Sequence, residues 1–364
     1  MPNSDACRGT AVSFVYISSP NDGLVSHYHL DDDTGALTLV EQVKAGEKVN
    51  ALALTPDGST LYGALRGQPS EVVSFSVDAG SGKLLRRARA PLGAGMSYLA
   101  TDRQGRFLFG ASYGEDVVTL QSIDDEMQVQ ENIRKYASGM HAHSVRPDPS
   151  NRFVYACVLG VDRILQFRLD EASAALEPIG EGFVSVAENV GPRHLAFSED
   201  GRLVFVVGEM SGTVLSFSID PQTGALTPVH EQSGITPGMN LEQGLVRDSR
   251  NNNLSDDPTP RIWCADIRLV PGGRRLYITE RTTSSVSVFD VSAEGRLAFA
   301  GNHKLVEKQP RNIAISPDGR WLLACGELSP VVGSYRIEAS GELTRVSEAP
   351  SGDGALWIEV LPQR

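Results

Sequence analysis

Two histidines, His141 and His143, lie two residues apart in the segment GMHAHSVRPD at 139–148. The segment alternates like a β-strand and ends in a turn, so both imidazoles lie on one face of it. An imidazole gains and loses a proton near neutral pH, which suits a general base that later acts as a general acid. Comparable segments of the chain carry mostly aliphatic residues, and this contrast makes the pair a candidate for chemistry.

Charged and aromatic residues occur at equivalent points of other segments. Arginine can hold a carboxylate or phosphate through two hydrogen bonds, or stabilise an oxyanion. A carboxylate can orient an arginine or a histidine, or act as a base itself. The candidates are Arg66, Tyr113, Arg193, His194, Glu209, Asp266, Arg281, Arg311 and Glu327.

An internal repeat must position these residues. The apolar triplets VYI at 15, LYG at 61, LFG at 108, VYA at 154, VFV at 204, LYI at 276 and LLA at 322 are separated by 46, 47, 46, 50, 72 and 46 residues. Each unit has a short apolar strand, a turn such as TPDGST or SPDGR, a second and a third strand, and a TGAL-like turn before a fourth strand. Four antiparallel strands repeated at this period are typical of a β-propeller blade.

We therefore expect an all-β fold, a single domain over 1–364 with seven blades of four antiparallel strands. The chain starts with a second strand, SFVYIS, and its spare last strand, ALWIEVL, is expected to pair with it and close the ring. The longest interval contains an insertion at 234–261. We expect it to act as a lid or specificity element, with a plain surface excursion or a calcium loop as alternatives.

Antiparallel geometry places the candidate residues at one end of the propeller. The links into the first strand of a blade and the loops after the second strand share one face, and the PDG and TGAL turns share the other. The first strand is the innermost one in a propeller. The candidates are therefore expected to ring the mouth of the central channel.

Composition limits the classes of partner. The chain has 33 Lys and Arg against 45 Asp and Glu, a net charge of −12 and no basic run, which argues against nucleic acid. No apolar run is long enough to cross a membrane, and MPNSDACRGT has no signal pattern, so a cytoplasmic monomer or weak homo-oligomer is expected. The four cysteines are scattered without a CxxC pair and are expected to be buried free thiols.

The segments HAHSVRPD, GPRHLAFSEDG, ADIRLVPGGRRLYITERTTSSVSVF and QPRNIAISPDGRWL resemble the seven-bladed lactonase family. That family contains bacterial propeller-type 6-phosphogluconolactonases and fungal carboxy-cis,cis-muconate lactonizing enzymes. The resemblance implies a metal-independent site without a cofactor, acting on a small anionic lactone. It implies His141, Arg193, Glu209 and Arg281 as catalytic residues. The expected substrate contacts are His143, His194, Tyr113, Asp266, Arg66 and Arg311.

The residues leave alternatives open. Lactone hydrolysis needs a base, positive charge for the oxyanion and a proton for the leaving oxygen. Either His141 or Glu209 could be the base, and each candidate residue could instead be structural. His141 and His143 could also bind a metal with Asp266 or Glu209, although no compact acidic cluster is visible. The first expected substrate is 6-phosphoglucono-1,5-lactone. The alternatives are a non-phosphorylated aldonic or aldaric lactone, a muconate cycloisomerase, and a non-catalytic scaffold with an apolar or patchy mouth.

Overall fold

The fold is all-β. The computed structural model describes residues 11–247 and 257–363. Within these ranges the strands form seven four-stranded antiparallel sheets, and the regular helical structure consists of two short 3₁₀ segments, Leu159–Val161 and Pro237–Met239. The seven blades predicted from the repeat are therefore confirmed.

The strands follow one another in chain order. The first eleven are β1 (Val12–Ser19), β2 (Leu24–Asp31), β3 (Leu37–Lys44), β4 (Val49–Leu54), β5 (Thr60–Leu65), β6 (Glu71–Val77), β7 (Leu84–Pro91), β8 (Tyr98–Thr101), β9 (Phe107–Ser112), β10 (Val117–Ser122) and β11 (Arg134–Ala137). The next eight are β12 (Ala142–Pro147), β13 (Phe153–Val158), β14 (Arg163–Asp170), β15 (Ala175–Ser185), β16 (Pro192–Phe197), β17 (Leu203–Gly208), β18 (Thr213–Ile219) and β19 (Leu226–Ser233). The last nine are β20 (Cys264–Leu269), β21 (Arg275–Glu280), β22 (Ser285–Val291), β23 (Leu297–Lys304), β24 (Pro310–Ile315), β25 (Trp321–Gly326), β26 (Val331–Ile337), β27 (Leu343–Pro350) and β28 (Trp357–Pro362).

The ring is closed by the first and last strands. β28 pairs antiparallel with β1, with Tyr16 opposite Glu359, and both strands belong to blade one. The side-chain carbonyl of Asn312, in blade seven, accepts the backbone N–H of Ile358 at 2.8 Å. Each innermost strand also contacts the innermost strands of its two neighbours, in the order β28, β4, β8, β12, β16, β20, β24 and back to β28. The predicted closure is confirmed, and it removes the open edge that a linear array of sheets would have.

The apolar triplets that define the repeat hold adjacent blades together. They lie on the second strands, which are buried along their length because a neighbouring blade covers each face. In four blades the middle residue of the triplet is a tyrosine, whose buried hydroxyl needs a hydrogen-bond partner. These hydroxyls donate to carbonyls in the turn between the third and fourth strands of the next blade: Tyr16 to Gly82, Tyr62 to Met127, Tyr155 to Gly224 and Tyr277 to Gly341, at 2.7–2.9 Å.

The predicted insertion at 234–261 follows β19, and residues 248–256 of it lie outside the described residues. Its described part contacts the mouth face. The amide of Gln243 donates to the carbonyls of Asn189 and Met210, and the N–H of Gly244 donates to Met210 at 2.9 Å. Both acceptors lie in loops at the predicted mouth, beside blade five. The role of this segment as a lid stays a prediction.

Three of the four cysteines, Cys157, Cys264 and Cys325, are buried free thiols, as predicted. Cys7 lies outside the described residues. The extent of the single domain, 1–364, stays a prediction. No helix in the described ranges is both long and apolar enough to span a bilayer.

Candidate active site

Register shifts in the innermost strands position the predicted residues. The pairing of the first strand with the second is irregular between residues 49 and 52, 142 and 144, 192 and 194, 264 and 267, and 310 and 312. A β-bulge leaves one residue out of the ladder and re-aims its side chain. The residues within these shifts include His143, Arg193, Asp266 and Arg311. Four predicted site residues thus owe their direction to a local departure from the regular strand.

Glu209, the first residue after β17, holds two arginines. Arg193 Nε donates to Glu209 Oε2 at 2.6 Å, and Arg281 Nη2 lies 3.0 Å from the same oxygen. The three side chains come from blades five and six, and the residues are only 0%, 4% and 2% exposed for Arg193, Glu209 and Arg281. Backbone carbonyls of 263–265 accept further N–H groups from both guanidiniums. These bonds fix the orientation of the two arginines before any ligand binds.

Each arginine retains donors for a ligand. Nη2 of Arg193 and Nη1 of Arg281 form no hydrogen bond with the part of the chain that the structure describes. Guanidinium N–H groups of fixed direction bind carboxylate, phosphate or a developing oxyanion. The pair therefore has the geometry of an anion clamp.

The cluster is charged at neutral pH. Burial raises the pKa of Glu209, but the guanidiniums of Arg281 and Arg193 outweigh burial and hold it below its ordinary value. Burial lowers the pKa of Arg193 to about 10 and of Arg281 to about 9, against the opposing effect of Glu209. A carboxylate this well stabilised is a weak base. The cluster consequently binds charge better than it accepts a proton.

His141 precedes β12 and has a φ of 69°, in the left-handed region. Its backbone N–H donates to Asp116 Oδ1 at 2.8 Å, and its ring stacks on Tyr113 with centroids 4.0 Å apart. Ring Nδ1 lies 2.9 Å from the Tyr113 carbonyl oxygen. A carbonyl only accepts, so Nδ1 carries the proton and Nε2 is the acceptor nitrogen. This tautomer is the one that a general base requires.

A row of aromatic rings joins His141 to the arginine cluster. Tyr113 contacts His143 edge-on at 5.7 Å, and His143 contacts His194 at 5.1 Å. His194 Nε2 then accepts Arg193 Nη1 at 3.1 Å. Burial, followed by the charge of Arg193, lowers the pKa of both His143 and His194 well below the ordinary value. Both rings are therefore neutral, and Nδ1 of His143 is buried without a hydrogen-bond partner among the described residues.

Asp266 is the anchor of this row. Its Oδ1 accepts His194 Nδ1 at 2.8 Å. Its Oδ2 accepts the side-chain amide of Asn312 at 2.8 Å and the N–H of Ile313 at 3.1 Å, and it forms an ion pair with Arg268, whose Nε lies 3.1 Å away. Burial raises the pKa of Asp266, and Arg268 opposes that rise. One carboxylate thus ties together blades five, six and seven at the centre of the ring.

The other predicted residues lie around the rim. The Tyr113 hydroxyl donates to the backbone carbonyl of Arg247 at 2.7 Å, which joins blade three to the insertion. Arg311 pairs with Glu327 at 3.1 Å. Arg66 is exposed, and its side chain forms no hydrogen bond within the described ranges. These positions fit contacts with the distal part of a ligand.

Two residues beside the cluster are not marked by the repeat pattern. The guanidinium carbons of Arg247 and Arg281 both lie 3.7 Å from the centre of the Trp263 ring. Such cation–π contacts hold an arginine in place. Arg247 belongs to the insertion, which has no counterpart in other repeats. Trp263 stands one residue before β20, in the same WCADIRL segment as Asp266, and an aromatic side chain at that point was the available signal.

A metal site formed by His141 and His143 with Asp266 or Glu209 was the alternative to the metal-free site. In 11–247 and 257–363, no group of three or more His, Cys, Asp or Glu is arranged to hold a metal ion. Metal independence stays a prediction, and activity measured after chelator treatment tests it.

We predict that His143→Asn flattens the acid side of the stability profile. In the unfolded chain an imidazole binds a proton below about pH 6.5, whereas buried His143 resists protonation until the pH is far lower. The unfolded state then binds more protons, so the free energy of unfolding falls as pH drops below about 6.5, by up to roughly 1 kcal/mol per pH unit for this residue. Urea unfolding between pH 7 and 5 measures the slope. Equal slopes in the variant and the parent protein would contradict the prediction.

Known proteins resemble this chain along its length. The family model described as Lactonase, 7-bladed beta-propeller, matches residues 14–360. The 6-phosphogluconolactonase of Yersinia enterocolitica is 33% identical over 352 residues, with 96% of this chain and 98% of that protein covered. The protein of the same name from Yersinia pestis is 33% identical over 347 residues, with coverages of 95% and 97%.

Solved structures agree on the fold. The periplasmic gluconolactonase of Pseudomonas aeruginosa superposes with a TM-score of 0.81 at 21% identity, covering 96% of this chain and 99% of that one. A protein from Lactobacillus plantarum gives a TM-score of 0.81 at 20% identity, with the same coverages. At such identities the likeness concerns the fold. The family model and the relatives at 33% identity go further: the chain belongs to the family of seven-bladed β-propeller lactonases.

Proposed function

We propose that the protein hydrolyses 6-phosphoglucono-1,5-lactone at the mouth formed by blades three to seven. Membership of the lactonase family confirms the predicted enzyme class, and relatives 33% identical carry the name 6-phosphogluconolactonase. The observation that carries the proposal is the buried Arg193–Glu209–Arg281 cluster. Each of its arginines keeps one terminal nitrogen without a hydrogen bond in the described residues, and Glu209 neutralises part of their charge. An anionic lactone needs both features.

The arrangement supports a mechanism with His141 as the base. Nε2 of His141 takes a proton from water, and the water oxygen attacks the lactone carbonyl. The oxyanion that forms is stabilised by the N–H groups of the arginine pair. The protonated imidazole then gives its proton to the departing ring oxygen. Glu209 is the weaker candidate for base, because the two guanidiniums lower its pKa.

His194 and Asp266 support this site from beneath. Both ring nitrogens of His194 bond to protein groups, Arg193 on one side and Asp266 on the other. Both carboxylate oxygens of Asp266 are also engaged. We propose that these two residues position Arg193, and that the substrate contacts fall to His143, Tyr113, Arg66 and Arg311.

A non-phosphorylated aldonic or aldaric lactone is the second candidate. The rim cation best placed to meet a phosphate, Arg311, is already paired with Glu327 at 3.1 Å. Arg66 forms no side-chain hydrogen bond or ion pair within 11–247 and 257–363, but it is exposed, so solvent weakens its hold on an anion. A carboxylate or a hydroxyl group needs less positive charge from these rim residues than a dianionic phosphate does.

A hydrolysis screen with a pH indicator separates these candidates. The substrates are 6-phosphogluconolactone, gluconolactone, galactarolactone and glucarolactone, each corrected for spontaneous hydrolysis. We expect kcat/KM to be highest for the phosphorylated lactone. Arg66→Gln and Arg311→Gln should reduce this preference without changing the rate for gluconolactone. A higher kcat/KM for an unphosphorylated lactone would favour the second candidate, and the absence of hydrolysis in all four assays would refute the proposal.

We predict different kinetic defects for the two arginines. Arg193 lies on an innermost strand beside the histidine row, so Arg193→Ala is expected to lower kcat by roughly 10²–10³-fold through loss of an oxyanion donor. Arg281 lies beneath Trp263, next to the insertion, so Arg281→Lys is expected mainly to raise KM, because lysine keeps the charge but loses the fork geometry. Steady-state kinetics on the best lactone measures both. The reverse pattern, with kcat lost in Arg281→Lys and KM raised in Arg193→Ala, would exchange the two roles.

The location in the cytoplasm and the monomeric or weakly associated state stay predictions. Gel filtration over a range of protein concentrations tests the second of them.

A further inference from the structure

The opposite end of the channel contains a cavity of about 580 Å³ and an adjoining one of about 180 Å³. Both are bounded by the ends of innermost strands and by the turns that follow them, on the face away from the arginine–glutamate cluster. Their shared lining residues include Arg103, Arg146, Arg268 and Glu359. The larger volume lies within the range of small-molecule sites.

Two of the three arginines have almost no internal partners. The guanidinium of Arg103 forms no hydrogen bond or ion pair within the described residues. Arg146 makes one long bond, from Nη1 to the Leu195 carbonyl at 3.3 Å. Burial lowers the pKa of Arg103, and the nearby charge of Arg146 lowers it further. The Asp148 carboxylate opposes this lowering but forms no ion pair with Arg103 within the described residues. The two guanidiniums therefore repel each other, and a bound anion would relieve the repulsion.

The third arginine is held rigidly. Arg268 Nε donates to the Ile313 carbonyl at 2.7 Å and lies 3.1 Å from Asp266 Oδ2. Its two terminal nitrogens form no hydrogen bond within the described part of the chain. Arg268 therefore presents a fixed fork, which is the geometry that binds a carboxylate or phosphate with two parallel bonds.

Three carboxylates, Asp102, Glu199 and Glu359, also line the two cavities. Glu359 Oε1 accepts the indole N–H of Trp357 at 2.8 Å, and burial raises the pKa of Glu359 against the effect of Arg268. Glu199 Oε1 accepts the N–H of Gly272 at 2.8 Å. The three guanidiniums face three carboxylates, but both oxygens of Asp102 already accept N–H groups of 104, 106 and 107 and of the Asn151 amide. Asp102 therefore does not neutralise the terminal nitrogens of Arg103 or Arg268, which form no hydrogen bond within the described residues. Glu359 adds a hydrogen-bonding group of the kind that binds a hydroxyl.

We infer that this cavity is a second binding site, for a small hydroxylated metabolite that carries a carboxylate or phosphoryl group. The anionic group binds Arg103, Arg146 and Arg268, and a hydroxyl group binds Glu359. Asp266 connects this site to the other end of the channel, because its Oδ2 contacts Arg268 and its Oδ1 contacts His194. The inference rests on the cavity and its charges and does not depend on which lactone the protein hydrolyses.

Isothermal titration calorimetry at constant ionic strength tests it. The probes are inorganic phosphate, gluconate and citrate, titrated into the full chain. We expect Arg103→Gln combined with Arg146→Gln to weaken binding at one site by at least tenfold, with lactone hydrolysis in the absence of added anion unchanged. Stronger binding of phosphate than of gluconate and citrate would identify a phosphoryl ligand, and the opposite order a carboxylate ligand.

Two controls keep the result interpretable. Arg202→Gln removes one positive charge on the same face, from an exposed pair with Asp200, and should leave binding unchanged. Arg281→Ala weakens anion binding at the other mouth and should leave the second site intact. If the double variant fails to fold, Arg103→Gln alone serves, because its side chain makes no bond within the described residues. Unchanged binding in a folded Arg103→Gln, Arg146→Gln protein overturns the inference, whether or not any lactone is hydrolysed.

Discussion

Replacement of His141 by alanine is expected to lower kcat for lactone hydrolysis by roughly 10²–10⁴-fold with little change in KM. The Tyr113 carbonyl fixes the proton on Nδ1, so Nε2 has the lone pair that takes a proton from water. This proton transfer occurs in the transition state, and its loss therefore affects turnover more than binding.

The left-handed backbone at His141 calls for a second variant. Alanine is strained at a φ of 69°, whereas asparagine tolerates this region. His141→Asn should lose activity to the same extent as His141→Ala while keeping the thermal stability of the parent protein. His230→Ala, on the outer strand β19, is the matched control and should retain full kcat. A parental rate in both His141 variants would leave Glu209 as the base. Loss of activity with chelator, restored by a divalent ion, would recast His141 and His143 as metal ligands.

Asp266→Ala is expected to destabilise the fold by roughly 3–5 kcal/mol. The substitution leaves the guanidinium of Arg268, whose side chain is only 22% exposed, without its carboxylate and removes acceptors from His194, Asn312 and Ile313 at once. A largely buried charge that loses its ion-pair partner keeps most of its desolvation cost. The free energy of unfolding in urea measures the effect.

Two further variants separate charge from geometry at Asp266. Asp266→Asn keeps the shape and one acceptor oxygen, so it should cost less than alanine. Asp290→Ala removes an equally charged residue from an exposed pair with Arg275 and should cost about 0–1 kcal/mol. If Asp266→Ala lowered the free energy of unfolding no more than Asp290→Ala, the contacts of Asp266 with blades five, six and seven would not stabilise the fold.

The repeat predicted the blade count and the closure because a propeller blade is set by strand length and turn chemistry, which are local and recur along the chain. The shared face of Arg193, Glu209 and Arg281 was predictable for the same reason, since antiparallel connection alone decides which end a loop occupies. The direct contact between these three side chains was not predictable from the sequence. It depends on the bulge at Arg193, which arises from backbone geometry that a strand pattern does not encode.

Other features were hidden for different reasons. Arg247 belongs to an insertion that has no equivalent in the other blades, so a comparison of the repeats cannot identify it. Arg146 and Arg268 stand within the quoted HAHSVRPD and ADIRL segments, three and two residues beyond His143 and Asp266. At about 3.3 Å per residue, the two arginines lie roughly 7–10 Å along the strand from His143 and Asp266, toward the opposite end of the channel. Neither arginine was predicted from the sequence to have a role.

The pairing of β28 with β1 also bears on how the protein is made. During synthesis β1 leaves the ribosome first, yet its inner partner emerges only after the other six blades. Until then β1 presents an unpaired edge, and blade one has no innermost strand. Contacts this distant along the chain form slowly, because the intervening loop must be closed before they can stabilise anything. The nascent chain therefore has the unpaired edge of β1 exposed, and this edge can pair with other chains. We expect β1 to need protection by chaperones until the last blades have been translated.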